Sequence, residues 1–87
     1  MNLKIRGERL VWRELDDEII ALDMRSSNYL RLNASGAVLW KLLSAGTTKQ
    51  QLVAALTTSY GVPAEDASSD VDTFLEQLWN NALVEDA

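Results

Sequence analysis

The chain contains no cysteine and no histidine. The first absence excludes disulfides, thiolate nucleophiles and zinc–thiolate centres. The second removes the commonest general base and the commonest metal ligand. A long apolar run is also missing. The first fifteen residues are broken up by Lys4, Arg6, Glu8, Arg9, Arg13 and Glu14, so neither a signal peptide nor a membrane span is expected. A cytoplasmic location, with no membrane partner, is the expectation.

Positive charge is scarce in the second half. Six of the eight basic residues lie at or before Arg31, and from Gly61 onward there is neither Lys nor Arg. The same stretch holds Glu65, Asp66, Asp70, Asp72, Glu76, Glu85 and Asp86. A partner docking there should be neutral or basic, not phosphate-rich. Phosphate-binding loops, dinucleotide fingerprints and nucleophile elbows are absent from the sequence. The paired carboxylates lie on turns, at a helix start or on a solvated helix side. Asp70 and Asp72, two apart on a helix, do not face each other. No calcium loop with a central glycine is present. No catalytic residue, metal or cofactor is therefore expected, and the chain is read as a non-enzyme.

What is present suits one small α+β domain of 87 residues, 47% of them hydrophobic. Residues 1–9 are polar and irregular, and read as a loose arm or an extra edge segment. Leu10–Leu15 carries strand-type residues, Asp16-Asp17 marks a turn, and Glu18–Met24 is a second run of strand length. A polar break at Arg25-Ser26-Ser27 precedes Asn28–Leu32. There Leu30 and Leu32 alternate with Tyr29 and Arg31, as in a half-buried strand. Three short runs with short breaks predict an antiparallel meander.

The period then changes to that of a helix. Asn33 is an N-cap candidate, Val38, Leu39, Leu42 and Leu43 share a face, and Gly46 suits a left-handed helix end. A capping box is available as Thr47 with Gln50 or Thr48 with Gln51. Leu52, Val53, Leu56 and Tyr60 mark the inner face of a second helix that Gly61 stops. Pro63 opens a third, with Glu65 and Asp66 favourable in its first turn. Its apolar stripe (Ala67, Val71, Phe74, Leu75, Leu78, Trp79, Ala82, Leu83) is wider than one small sheet requires. Of the tryptophans, Trp12 and Trp40 are expected in the core, Trp40 against the second or third helix, and Trp79 is the candidate for partial exposure.

Three strands followed by three helices make a winged helix-turn-helix. Two functions fit that layout. DNA binding needs a basic recognition helix, but the second helix offers only Lys49 and the third no cation, so nucleic acid is not an expected partner. The other function is strand addition. A short sheet with an exposed edge accepts an extended peptide as a further strand. Ser27–Leu32 is the natural edge, and Val71, Phe74, Leu75 and Leu78 would form the facing wall, with Asp70 or Glu76 meeting a peptide cation at the rim. Composition supports equally the plainer reading, in which those four apolar residues are core.

The segment Tyr29-Leu30-Arg31-Leu32-Asn33-Ala34-Ser35-Gly36-Ala37-Val38-Leu39-Trp40-Lys41-Leu42-Leu43 resembles the signature of the PqqD-like family. That signature is a strand ending Leu-Asn, small or hydroxyl residues, an aliphatic-Trp pair and Leu-Leu. Gly46-Thr47-Thr48, Leu52, Leu56, Tyr60-Gly61, Asp70-Val71 and Leu78 continue it, so the resemblance spans about residues 10 to 85. It implies a recognition element that holds the leader of a ribosomally made precursor peptide, a peptide chaperone for partner enzymes. The leader would lie beside Ser27, Asn28, Tyr29, Leu30, Arg31 and Leu32, against Asp70, Val71, Phe74, Leu75 and Leu78. The chain is most similar to the stand-alone elements of lasso-peptide biosynthesis, which implies a leader peptidase and an ATP-dependent cyclase as further partners. The family also implies an alternative, presentation of a cofactor-precursor peptide to a radical enzyme. One departure stands out. The third helix of family members commonly ends in Gly-Leu, where this chain has Ala82-Leu83, and Asn81 is the expected left-handed cap.

Overall fold

The computed structural model describes residues 2–7 and 10–86. The elements in chain order are β1 (Leu3–Ile5), β2 (Leu10–Leu15), β3 (Glu18–Asp23), β4 (Asn28–Leu32), α1 (Ala34–Ala45), α2 (Lys49–Tyr60), α3 (Ala64–Asn80) and β5 (Val84–Asp86). The meander is β2-β3-β4, antiparallel throughout, with Trp12 opposite Ala21 and Ala21 opposite Leu30. Its first hairpin closes at Asp16-Asp17, where Asp16 takes φ 56°, a conformation that a short polar side chain tolerates.

Of the two readings of the N-terminal segment, a loose arm or an extra edge segment, residues 3–5 take the second, as a strand. β1 pairs antiparallel with β5, and Leu3 and Ile5 are buried. Met1, Glu8 and Arg9 of the expected arm lie outside the described residues. This two-stranded ribbon ties the start of the chain to its end. Leu3 also exchanges backbone hydrogen bonds with Thr47 at 2.6 and 2.9 Å, fastening the ribbon to the α1–α2 turn.

The helix starts follow local chemistry. The Asn33 side chain accepts from the Gly36 N–H at 3.0 Å. Thr48, not Thr47, forms the capping box with Gln51, through bonds of 3.2 Å in both directions. Pro63 is the N-cap residue of α3, with Ala64 the first helical position. At Gly36 the start of α1 lies close against β4, since a Cβ there would lie 3.3 Å from that of Leu32.

The core lies between the inner face of the meander and the three helices. Ile19, Ala21 and Leu32 meet Leu39, Trp40 and Leu43 of α1, Leu52 and Leu56 of α2, and Ala67, Val71, Leu75 and Leu78 of α3. Trp40 is wholly buried and packs towards the sheet, edge-on to Trp12 with ring centroids 6.2 Å apart at 78°. Burial of so large a ring makes it a principal core anchor. Tyr60, expected on the inner face of α2, is exposed, and so is Trp79.

Candidate functional site: the open edge of β4

β4 pairs with β3 on one side only, and among the described residues no strand covers its other edge. In an antiparallel ladder alternate residues aim N–H and C=O away from the partner strand. The outer side of β4 thus presents backbone donors and acceptors that no strand pairs among the described residues.

Two cavities flank this edge. One, of about 510 Å³, lies by the first half of β4 and is lined by Asn28, Tyr29 and Leu30, by Leu10 and Ala21, and by Asn81, Ala82 and Leu83. The other, of about 550 Å³, lies by the second half. Arg31, Leu32 and Asn33 line it together with Gly36, Leu39, Leu56, Tyr60 and Val62, and Asp70, Phe74 and Gln77 of α3 close it. Arg31 shares its cavity with Asp70, Phe74 and Gln77, and Asn28 shares the other with Asn81 and Ala82, so helix and strand run in opposite directions.

The α3 residues on the groove, Asp70, Phe74, Gln77 and Asn81, are spaced by four, three and four, which is one stripe along a helix. The neighbouring stripe, Ala67, Val71, Leu75 and Leu78, is core. Of the wall expected from sequence, Phe74 lines the groove and Val71, Leu75 and Leu78 do not. Val71 is 0% exposed and Leu78 1%, so these two and Leu75 support α3 from beneath, and Phe74 supplies the apolar surface. Ser27 is likewise displaced from the edge. It sits in the turn before β4 with φ 61°, its N–H bonded to the Asp23 carbonyl at 2.7 Å, and it lines neither cavity. Asn28, Tyr29, Leu30, Arg31, Leu32, Asp70 and Phe74 do come together around the groove. Gln77, Asn81, Ala82 and Leu83 were not anticipated. The four-three-four spacing on the polar side of the core stripe was the signal that marks the first two.

Side-chain direction divides β4. Leu30 and Leu32 point inward. Tyr29, opposite Leu22, and Arg31, opposite Ile20, stand on the outer face, and Tyr29 is 77% exposed. Tyr29 therefore offers the groove its backbone, and its ring belongs to the other face of the sheet. Arg31 Nη2 donates to Glu18 Oε1 at 3.0 Å, and this bond, with the carboxylate's charge, raises the affinity of the guanidinium for its proton. Asp72 faces α2, paired with Lys49 at 2.7 Å, which leaves Asp70 as the α3 carboxylate on the groove. Glu76 lines neither cavity.

The arrangement has the parts needed to hold an extended chain: a free strand edge, an opposing helix, apolar recesses and a polar rim. Fold and site together define an α+β module of the winged helix-turn-helix kind with a groove between its edge strand and its last helix. The chain belongs to the PqqD family: the family model described as coenzyme PQQ synthesis protein D matches residues 18–84. Two solved structures share its fold over nearly the whole length. One is TbiB1 in complex with the TbiA(beta) leader peptide, 32% identical, covering 94% of each chain with a TM-score of 0.86. The other is a lasso peptide synthetase B1 complexed with the leader peptide, 25% identical, covering 95% of this chain and 96% of that one with a TM-score of 0.82. No curated protein matches the chain.

Proposed function

We propose that this protein binds the leader region of a ribosomally synthesised precursor peptide, a lasso-peptide precursor, and presents it to processing enzymes. The observation that carries the reading is the open β4 edge facing α3 and the turn after it across two cavities. Similarity to two structures that hold leader peptides supports it. The leader adds as a strand beside Asn28–Leu32, with backbone hydrogen bonds supplying affinity and the recesses supplying selectivity. Phe74 forms the apolar wall, and Asp70 and Gln77 the polar rim.

The chain acts as a single peptide-binding domain and does no bond chemistry. It orders a disordered leader and raises the local concentration of the attached core peptide at a leader peptidase and an ATP-dependent cyclase. Among the described residues no helix is long and apolar enough to cross a membrane, in keeping with work in the cytoplasm. The acidic α3, and the pairing of Lys49 with Asp72, leave no cationic helix for nucleic acid. The family match favours one second reading, presentation of a cofactor-precursor peptide to a radical enzyme.

A titration against the synthetic leader encoded in the same gene cluster tests the proposal. Saturable 1:1 binding is expected. A folded protein that ignores this leader but binds a cofactor-precursor peptide would replace the first reading with the second.

A further inference from the structure

α3 ends in a Schellman arrangement. The Leu83 N–H donates to the Leu78 carbonyl at 2.9 Å and the Ala82 N–H to that of Trp79 at 3.0 Å. In this motif the residue after the cap takes left-handed backbone angles, and glycine is the usual occupant. Here that residue is Ala82, at φ 56°. Asn81, the expected left-handed residue, has φ −99° and a side chain that donates to the Gln77 carbonyl at 2.8 Å. An alanine at this position keeps a Cβ that clashes with the backbone, whereas glycine would not.

Ala82 is exposed, so the strained methyl is not a demand of the core. It does line the cavity beside the first half of β4, whose apolar parts are Leu10, Ala21, Leu30 and Leu83. Strained residues persist where the surroundings over-determine them, and they cluster at binding sites. Two independent observations, the backbone outlier and its place on the groove, thus coincide in one residue.

We infer that Ala82 is a specificity-determining residue of the groove, its methyl group setting the size of the side chain that seats between β4 and the end of α3. The inference rests on the proposed leader binding. The cavity takes one apolar side chain of the added strand, and the methyl closes that recess at the helix end. Glycine would relax the helix cap and enlarge the recess, so stability and affinity move in opposite directions.

The test compares the wild-type chain with Ala82→Gly and Ala82→Leu. Each is titrated with the synthetic leader from the same gene cluster and with leaders altered at single positions to Ala, Leu or Phe. Ala82→Gly should melt higher yet bind the parent leader about fourfold more weakly, the loss expected for one buried methyl. It should also narrow or reverse the penalty for a larger residue at one leader position. Ala82→Leu should bind at least tenfold more weakly and recover when that same position is reduced to Ala. If Ala82→Gly melts higher and ranks every leader as the wild-type does, Ala82 is a strained cap alone and the inference fails. If the wild-type chain binds no leader, the proposed function itself fails, a different result from the same titration.

Discussion

Among the described residues the meander has two open edges, β2 and β4, and they differ in what stands opposite them. Beside β4 runs α3, with a cavity of about 550 Å³ between helix and strand and one of about 510 Å³ between the strand and the turn that follows the helix. Beside β2 there is a smaller recess of about 330 Å³, to which the strand contributes Trp12 alone. Each strand has one edge that no other strand pairs among the described residues, so the open edge alone does not distinguish them. The difference lies in the wall. Side-chain recesses turn an edge that any strand could join into one that selects its partner, while charged residues such as Arg13 and Glu14 on β2 discourage unwanted pairing.

α3 repeats the contrast on a smaller scale, with one stripe sealed and the next open. Substitutions should therefore separate stability from binding. The largest effect is expected for Leu78→Ser in the sealed stripe. It removes buried apolar volume and buries a hydroxyl, so stability should fall by about 3 kcal/mol or more, visible as a much lower melting temperature. Phe74→Ala in the open stripe should lower the melting temperature less than Leu78→Ser does, since Phe74 is only half-buried against the core, and weaken leader binding about tenfold, near 1.4 kcal/mol. If both variants lose only stability, the two stripes are not functionally distinct. Asp70→Asn should be milder, about two- to threefold in affinity for a leader bearing Lys or Arg, and the effect should vanish at high salt. Arg13→Ala on β2 should leave leader affinity within about twofold of wild type, and a large loss would place the peptide on the opposite edge.

Much of this contrast is legible in sequence, but not all of it. The strand Asn28–Leu32 follows from period-two patterning and Leu10–Leu15 from its strand-type residues, and the starts of α1 and α2 from Asn33 and the Thr47-Thr48 pair as caps. The β1–β5 ribbon is not legible, because two three-residue strands from opposite ends of the chain carry no local signal of their pairing. Which apolar residues of α3 line the groove is not legible: Val71, Phe74, Leu75 and Leu78 look alike in sequence, and only the packing of α3 on α2 and the sheet decides that Phe74 and Gln77 line it. Asn81 looked the better left-handed residue by side-chain type, yet the Schellman hydrogen bonds at Leu83 and Ala82 place that conformation one residue later.

Amide hydrogen exchange with and without the leader peptide tests strand addition at β4 most directly. The account predicts that the amides of Asn28–Leu32 that point away from β3 gain strong protection, in alternation along the strand, while those on the open edge of β2 are unchanged. Protection on β2, or none on β4 at saturating leader, would contradict it.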